Sequence, residues 1–100
     1  MSIHESGEDY LETILVLKER LGMVRSIDIV NEMQFTKPSV SVAMKKLREN
    51  GLITMSKEGF ITLTDEGYKI ASTIYNRHKL LTKFFVTLGV DEQVAAADAC

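Results

Sequence analysis

The sequence has no tryptophan, one proline and one cysteine. A lone cysteine, Cys100, cannot close an internal disulfide, which points to a reducing cytoplasm. No apolar run approaches the roughly 18 residues a membrane span requires, and the N-terminus lacks the basic region and apolar core of an export signal. Repeats and biased tracts are missing as well. There is no glycine-rich phosphate loop, no separate base or nucleophile motif, and little chain from which to build a substrate pocket, so a hydrolase or other enzyme is disfavoured. What is there is 100 residues with 45% hydrophobic content, enough for one compact core with little to spare.

Charge is also scarce in sum: the formal net charge is −2, which alone argues against nucleic acid. Its distribution argues the other way. From Met1 to Val24 five acids oppose two bases, whereas from Arg25 to Phe60 six bases (Arg25, Lys37, Lys45, Lys46, Arg48, Lys57) oppose four acids. The middle of the chain is its basic part.

The acidic head, "HESGEDYLETIL", places Glu5, Glu8, Asp9 and Glu12 before an apolar run. On a helix Glu5, Asp9 and Glu12 stack into one stripe and repel. A cap at Ser6 or Gly7 and the helix dipole explain Glu8 and Asp9. They do not explain Glu12, beyond the first turn and beside the buried face predicted for Tyr10, Leu11, Ile14, Leu17 and Leu21. Glu12 calls for a partner.

Periodicity predicts a first helix from about Glu5 to Leu21, stopped by Gly22. Ser26 is expected to cap a short second helix with Ile27, Val30 and Met33 facing inward. A "QFT" link leads to Lys37-Pro38, which starts a third helix ended by Gly51. The period then changes. "LITMS" and "FITLT" predict a β-hairpin around Lys57-Glu58-Gly59. Thr64 caps a fourth helix whose apolar positions Ala71, Ile74, Tyr75, Leu81, Phe85 and Leu88 carry it to Gly89. This order predicts a mainly α fold with a small β-hairpin, a winged helix-turn-helix.

In "KPSVSVAMKKLREN" the residues Val40, Ala43, Met44 and Leu47 share the inward face. Pro38, Val42, Lys45 and Glu49 lie opposite, flanked by Ser39, Ser41 and Lys46. Small hydroxyls and an exposed valine at a helix start suit the major groove of double-stranded DNA, where serine bonds phosphates or base edges and valine meets thymine methyls. The lysines beyond suit phosphates. The candidate DNA-contacting set is Arg25, Ser26, Thr36, Lys37, Pro38, Ser39, Ser41, Val42, Lys45, Lys46 and Lys57. The competing view is an ordinary amphipathic helix with solubilising lysines, and the hairpin beside it favours DNA.

His78 falls on or beside the buried stripe of the fourth helix. A lone histidine there is more often a satisfied core residue than a ligand. First and last helices of small winged domains commonly pack together, however, and the first carries Asp9 and Glu12. Two carboxylates and an imidazole match a divalent transition metal such as manganese(II) or iron(II), whose binding relieves the repulsion.

"EDYLETI", "TKPSVSVAMKKLRENGLI", "LTDEGYKIA" and "RHKLLTKFFVTLGVD" through to "DAC" together resemble the diphtheria toxin repressor family of iron- and manganese-dependent regulators. The resemblance spans essentially the whole chain. It implies a metal-bound homodimer that binds operator DNA upstream of metal-uptake genes and represses them. By position, Asp9, Glu12 and His78 match metal-binding residues of the family. Cys100 matches a position held by cysteine in iron sensors and by glutamate in manganese sensors. Asp9 stands where manganese regulators have aspartate and iron sensors methionine. These two positions pull in opposite directions, and the hard Asp9 and Glu12 suit manganese or iron over copper. The chain departs from the iron sensors at Thr82, where they have a glutamate.

The resemblance further implies a winged helix-turn-helix DNA-binding domain over residues 1–74 and the start of a metal-binding and dimerisation domain over 75–100. "VDEQVAAADAC" reads as the start of another apolar helix without a cap, so a longer protein is expected. The main alternative is a metal-independent winged-helix regulator that responds to a small ligand or a protein partner. It requires Asp9 and Glu12 to be surface acids and His78 a core histidine.

Overall fold

The computed structural model describes residues 5–87, with side chains from 7 to 84. In chain order the elements are α1 (Glu5–Leu21), α2 (Ser26–Met33), α3 (Lys37–Glu49), β1 (Ile53–Met55), β2 (Ile61–Leu63) and α4 (Asp65–Thr87). The fold is a winged helix-turn-helix, as expected. α1 lies along α4, α2 against α3, and the antiparallel hairpin β1–β2 is the wing. Its register pairs Ile53 with Leu63, Thr54 with Thr62 and Met55 with Ile61.

One core joins these elements. Leu11, Ile14 and Leu17 of α1, Ile29 of α2, Val40 and Met44 of α3, and Leu52, Ile53 and Ile61 of the wing are all essentially inaccessible, and Ala71 closes the cluster from α4. Helical spacing on the helices and alternation on the strands put these residues on one side of each element. In the wing Ile53 and Ile61 face inward while the next residue of each strand, Thr54 and Thr62, is exposed.

Three local expectations change. Ser6 and Gly7 already lie within α1, so neither caps it. Ser26 is the first residue of α2, and Arg25 occupies the cap: its amide donates to Asp28 Oδ2 at 2.9 Å and the Asp28 amide donates to the Arg25 carbonyl at 3.0 Å. The extended backbone that a cap requires is already set at Arg25, because this residue bridges to Phe60 of the wing. Leu21 and Ile27 are not core residues. Leu21, at the very end of α1, projects past the core, and Val24 after the turn fills that end; on α2 the buried position is Ile29, with Ile27 on the outer face. The fourth helix is described to Thr87 and Leu81 on it is marginally exposed. The expectations for Phe85, for Leu88 to Gly89 and for the segment running to Cys100 lie outside the described residues or side chains.

Thr36 caps α3, its Oγ1 accepting from the Ser39 amide at 3.2 Å, and Pro38 sits in the first turn where a missing N–H costs nothing. At the other end the chain turns at a corner held by Thr64. Its hydroxyl donates to the Gly51 carbonyl at 2.7 Å and accepts from the Gly67 amide at 3.2 Å, while its own amide donates to the Leu52 carbonyl at 3.1 Å. One residue thus fastens the turn after α3, the base of the wing and the start of α4. Gly67 lies so close to this corner that a Cβ there would stand 2.0 Å from the Leu52 carbonyl oxygen.

Candidate metal-ligand pair and nucleic-acid interface

Glu12 and His78 meet where α1 packs on α4. Glu12 follows the fully buried Leu11 along α1, and His78 stands one turn beyond Ile74 and two beyond Ala71, so both side chains leave the helix–helix seam at its edge. His78 Nδ1 lies 2.7 Å from Glu12 Oε2, with the two side chains 22% and 18% exposed. The carboxylate that the acidic head left unexplained has its partner here. With a proton on Nδ1 the imidazole donates to Glu12, and Nε2 keeps a lone pair for an electrophile.

The donor chemistry fits a first-row divalent cation: one hard oxygen and one imidazole nitrogen, supplied by two different helices and partly shielded from water. Asp9, one turn before Glu12, is exposed. Among the described residues no group of three or more His, Cys, Asp and Glu side chains is gathered as a ligand set. Of the four expected ligands the structure brings two together, leaves Asp9 at the surface, and does not reach Cys100, which lies outside the described residues.

On α3, Lys37, Pro38, Ser39, Ser41, Val42, Lys45 and Lys46 are all exposed, away from the buried Val40, Met44 and Leu47, with Val42 at 55%. Thr36 Oγ1 donates to Ser39 Oγ at 2.9 Å. The Ser39 hydroxyl, already accepting, has its own hydrogen to offer outward. Ser26, Lys37 and Ser41 rim a cavity of about 330 Å³ between α2 and α3, floored by Ile27 and Val30. Lys57 is exposed at the wing turn. Arg25 is placed differently from the rest, since its guanidinium carbon lies 4.3 Å from the centre of the Phe60 ring.

Two contacts escaped sequence reasoning. Phe60 belongs to "FITLT", yet no spacing links it to a residue 35 positions earlier. Phe35 in the α2–α3 link packs edge-on against Tyr10, ring centres 5.8 Å apart. An aromatic residue in an otherwise polar link was the available signal for the second contact. For the first there was none.

Comparison with known proteins settles what this arrangement is related to. Residues 2–60 match the family profile described as "Iron dependent repressor, N-terminal DNA binding domain" and residues 64–100 that described as "Iron dependent repressor, metal binding and dimerisation domain". The chain belongs to the iron-dependent repressor family. The first matched segment ends at Phe60, before β2, and the second begins at Thr64, where the wing passes into α4.

Within this family the transcriptional regulator MntR of Escherichia coli O6:H1 is 34% identical over 92 residues, which is 92% of this chain and 59% of that protein. The metal-dependent transcriptional regulator MtsR superposes with a TM-score of 0.82 at 29% identity, over 93% of this chain and 44% of that one. The manganese regulator SloR superposes with a TM-score of 0.71 at 29% identity, over 99% of this chain and 47% of that one. The chain therefore spans about three-fifths of the length of the curated iron-dependent repressor relatives it matches.

Proposed function

We propose that this chain is the DNA-binding part, with part of the metal centre, of a cytoplasmic transcriptional repressor that controls metal homeostasis and is not an enzyme. Residues 1–74 form the DNA-binding unit and 75–100 begin the metal-binding and dimerisation unit. The observation that carries this reading is the Glu12–His78 pair, which links the first helix of a winged helix-turn-helix to the helix that follows the wing.

Glu12 and His78 would hold manganese(II) or iron(II), with Asp9 and Cys100 as further donors. When bound, the ion would supply positive charge beside the Glu12 carboxylate at the edge of the α1–α4 seam. The role of the chain's own residues is to connect the two helices. Glu12 and His78 fix α1 against α4, and both helices share a core with α3. The kinship with a manganese regulator and the oxygen-rich donor set support manganese, while Cys100 keeps iron in the reading.

α3 would enter the major groove. Ser39, Ser41 and Val42 read base edges, while Lys45, Lys46 and Lys57 meet phosphates, with Ser26, Thr36, Lys37 and Pro38 beside them. A homodimer of the full-length protein would present two such helices to a palindromic operator. No helix among the described residues is long and apolar enough to cross a membrane.

The test uses full-length protein and a duplex selected from a random library by that protein in the presence of manganese(II). Anisotropy titrations with and without manganese(II) or iron(II) should show metal-stimulated binding that Glu12→Gln and His78→Ala both abolish, with weak salt-sensitive binding retained. If both variants respond to metal as the parent does, the metal-independent regulator is the better account.

A further inference from the structure

The wing is a short hairpin, three residues per strand. Two-stranded hairpins of this size are marginal alone, so the place of the turn must be set from outside it. At its base the wing is anchored by Ile53 and Ile61 in the core, and by the Ile61 amide, which donates to the Val24 carbonyl at 2.7 Å. Next to the turn the anchor is Phe60.

Phe60 is held from both sides. Its amide donates to Ser56 Oγ at 3.1 Å and its carbonyl accepts from the Ser56 amide at 3.0 Å, which closes the turn carrying Lys57 and Glu58. Its backbone bridges to Arg25, and its ring lies under the Arg25 guanidinium, well inside the distance at which a cation is attracted to an aromatic face. Arg25 is in turn bonded through its amide to Asp28 in the first turn of α2, the helix that packs on α3. A continuous line of contacts therefore runs from the wing turn to the recognition helix.

We propose that Phe60 is a positioning residue for the wing: by holding the Arg25 guanidinium it fixes Lys57 at a set place relative to α3, so that turn and helix reach the duplex together. Arg25 then acts through Phe60 and not as an independent phosphate ligand. The inference rests on the DNA-binding reading, but not on the metal.

The experiment measures binding of the full-length protein to a random-sequence duplex as a function of salt, since phosphate binding needs no operator. Each phosphate that is no longer neutralised lowers the slope of log affinity against log salt by about 0.9. Lys57→Ala should lower the parent slope by about that much for each copy of the chain on the duplex. Phe60→Leu removes no charge, yet it should lower the slope by a similar amount, and adding Lys57→Ala to it should change little more. Arg25→Lys, which keeps the charge but loses the planar stack, should behave like Phe60→Leu and provides the measurement if that variant does not fold. Circular dichroism and melting temperature near the parent values separate positioning from unfolding.

An unchanged slope in Phe60→Leu and Arg25→Lys, with a drop of about 0.9 per copy of the chain in Arg25→Gln, would make Arg25 a direct phosphate ligand and overturn the proposal. No slope change in Lys57→Ala would overturn it as well, because the wing turn would then touch no phosphate. A parent that binds no duplex at all overturns the DNA-binding reading itself, and this inference with it.

Discussion

His78 and Glu12 are 66 positions apart in the chain and 2.7 Å apart in space. Because both side chains are mostly shielded, the contact ties α1 to α4 even before a cation is considered. In metal-free buffer a double-mutant cycle over Glu12→Gln and His78→Ala, read by urea denaturation, should give a coupling of about 1 kcal/mol. Strictly additive losses would mean that the two side chains only lie side by side.

The outer side of α3 divides into two kinds of residue, which should respond differently. Replacing Lys45 and Lys46 by alanine should weaken binding to every duplex and lower the salt slope by about 0.9 for each phosphate left without its lysine. Ser39→Ala or Val42→Ala should alter sequence preference instead, each favoured base changing by about 1–3 kcal/mol in discrimination. Selection from a random library by each variant distinguishes the two. Uniform effects from all four changes would remove the base-reading role.

Two glycines should show opposite causes of damage. Gly22 has φ +84° with open space around its Cβ position, so Gly22→Ala costs the left-handed penalty, about 1–2 kcal/mol. Gly67 has an ordinary helical backbone, where alanine normally stabilises by roughly 0.8–1 kcal/mol. Its Cβ would stand 2.0 Å from the Leu52 carbonyl oxygen, so Gly67→Ala should destabilise by about 1–3 kcal/mol or more. Denaturation midpoints report both. A stabilised Gly67→Ala would show that α4 can move away from the wing base freely.

Tyr10 is buried between α1 and the Phe35 ring, and the loss of water around its hydroxyl raises its pKa above the ordinary 10.0. The unfolded chain therefore releases this proton more readily than the folded one. The contribution is fully present below pH 10 and is lost as pH rises through the higher folded value. Spectrophotometric titration should show Tyr10 ionising later than a free tyrosine, a late phase that Tyr10→Phe removes. The same variant should lose less stability than the parent in that alkaline window.

Much of this was legible from residue pattern because its causes are local. Gly22, Pro38 and the change of period after Gly51 mark element ends through backbone chemistry that needs no tertiary context, and His78 and Glu12 were each out of keeping with a purely apolar seam. Errors arose where a distant segment decided a local outcome. Ser26 has the chemistry of a cap, but the bridge from Phe60 sets the extended residue one position earlier, at Arg25. Ile27 has the right spacing for burial, yet Ile29 is the residue α2 turns into the core, and Ile27 is left exposed on the side that borders Lys37 and Ser41 of α3. Asp9 and Glu12 looked equivalent on a helical stripe, and only the line of α4 separates the paired carboxylate from the exposed one.

The corner at Thr64 and Gly67 also gives α4 a mechanical property. From Gly67 to Thr87 the helix runs unbroken, with no proline and no described interruption, over a length of about 30 Å. Seated at Gly67 and held again at His78 by Glu12, this rod can tilt at its base only if the α1 seam yields: a tilt of about 5° at Gly67 would then carry Thr87 sideways by about 2.6 Å, half the pitch of a helix turn. The fit between a missing methyl group and one carbonyl oxygen therefore helps set the line of α4 past the wing. Variation at Gly67 would act as misalignment of α4 as well as a loss of stability.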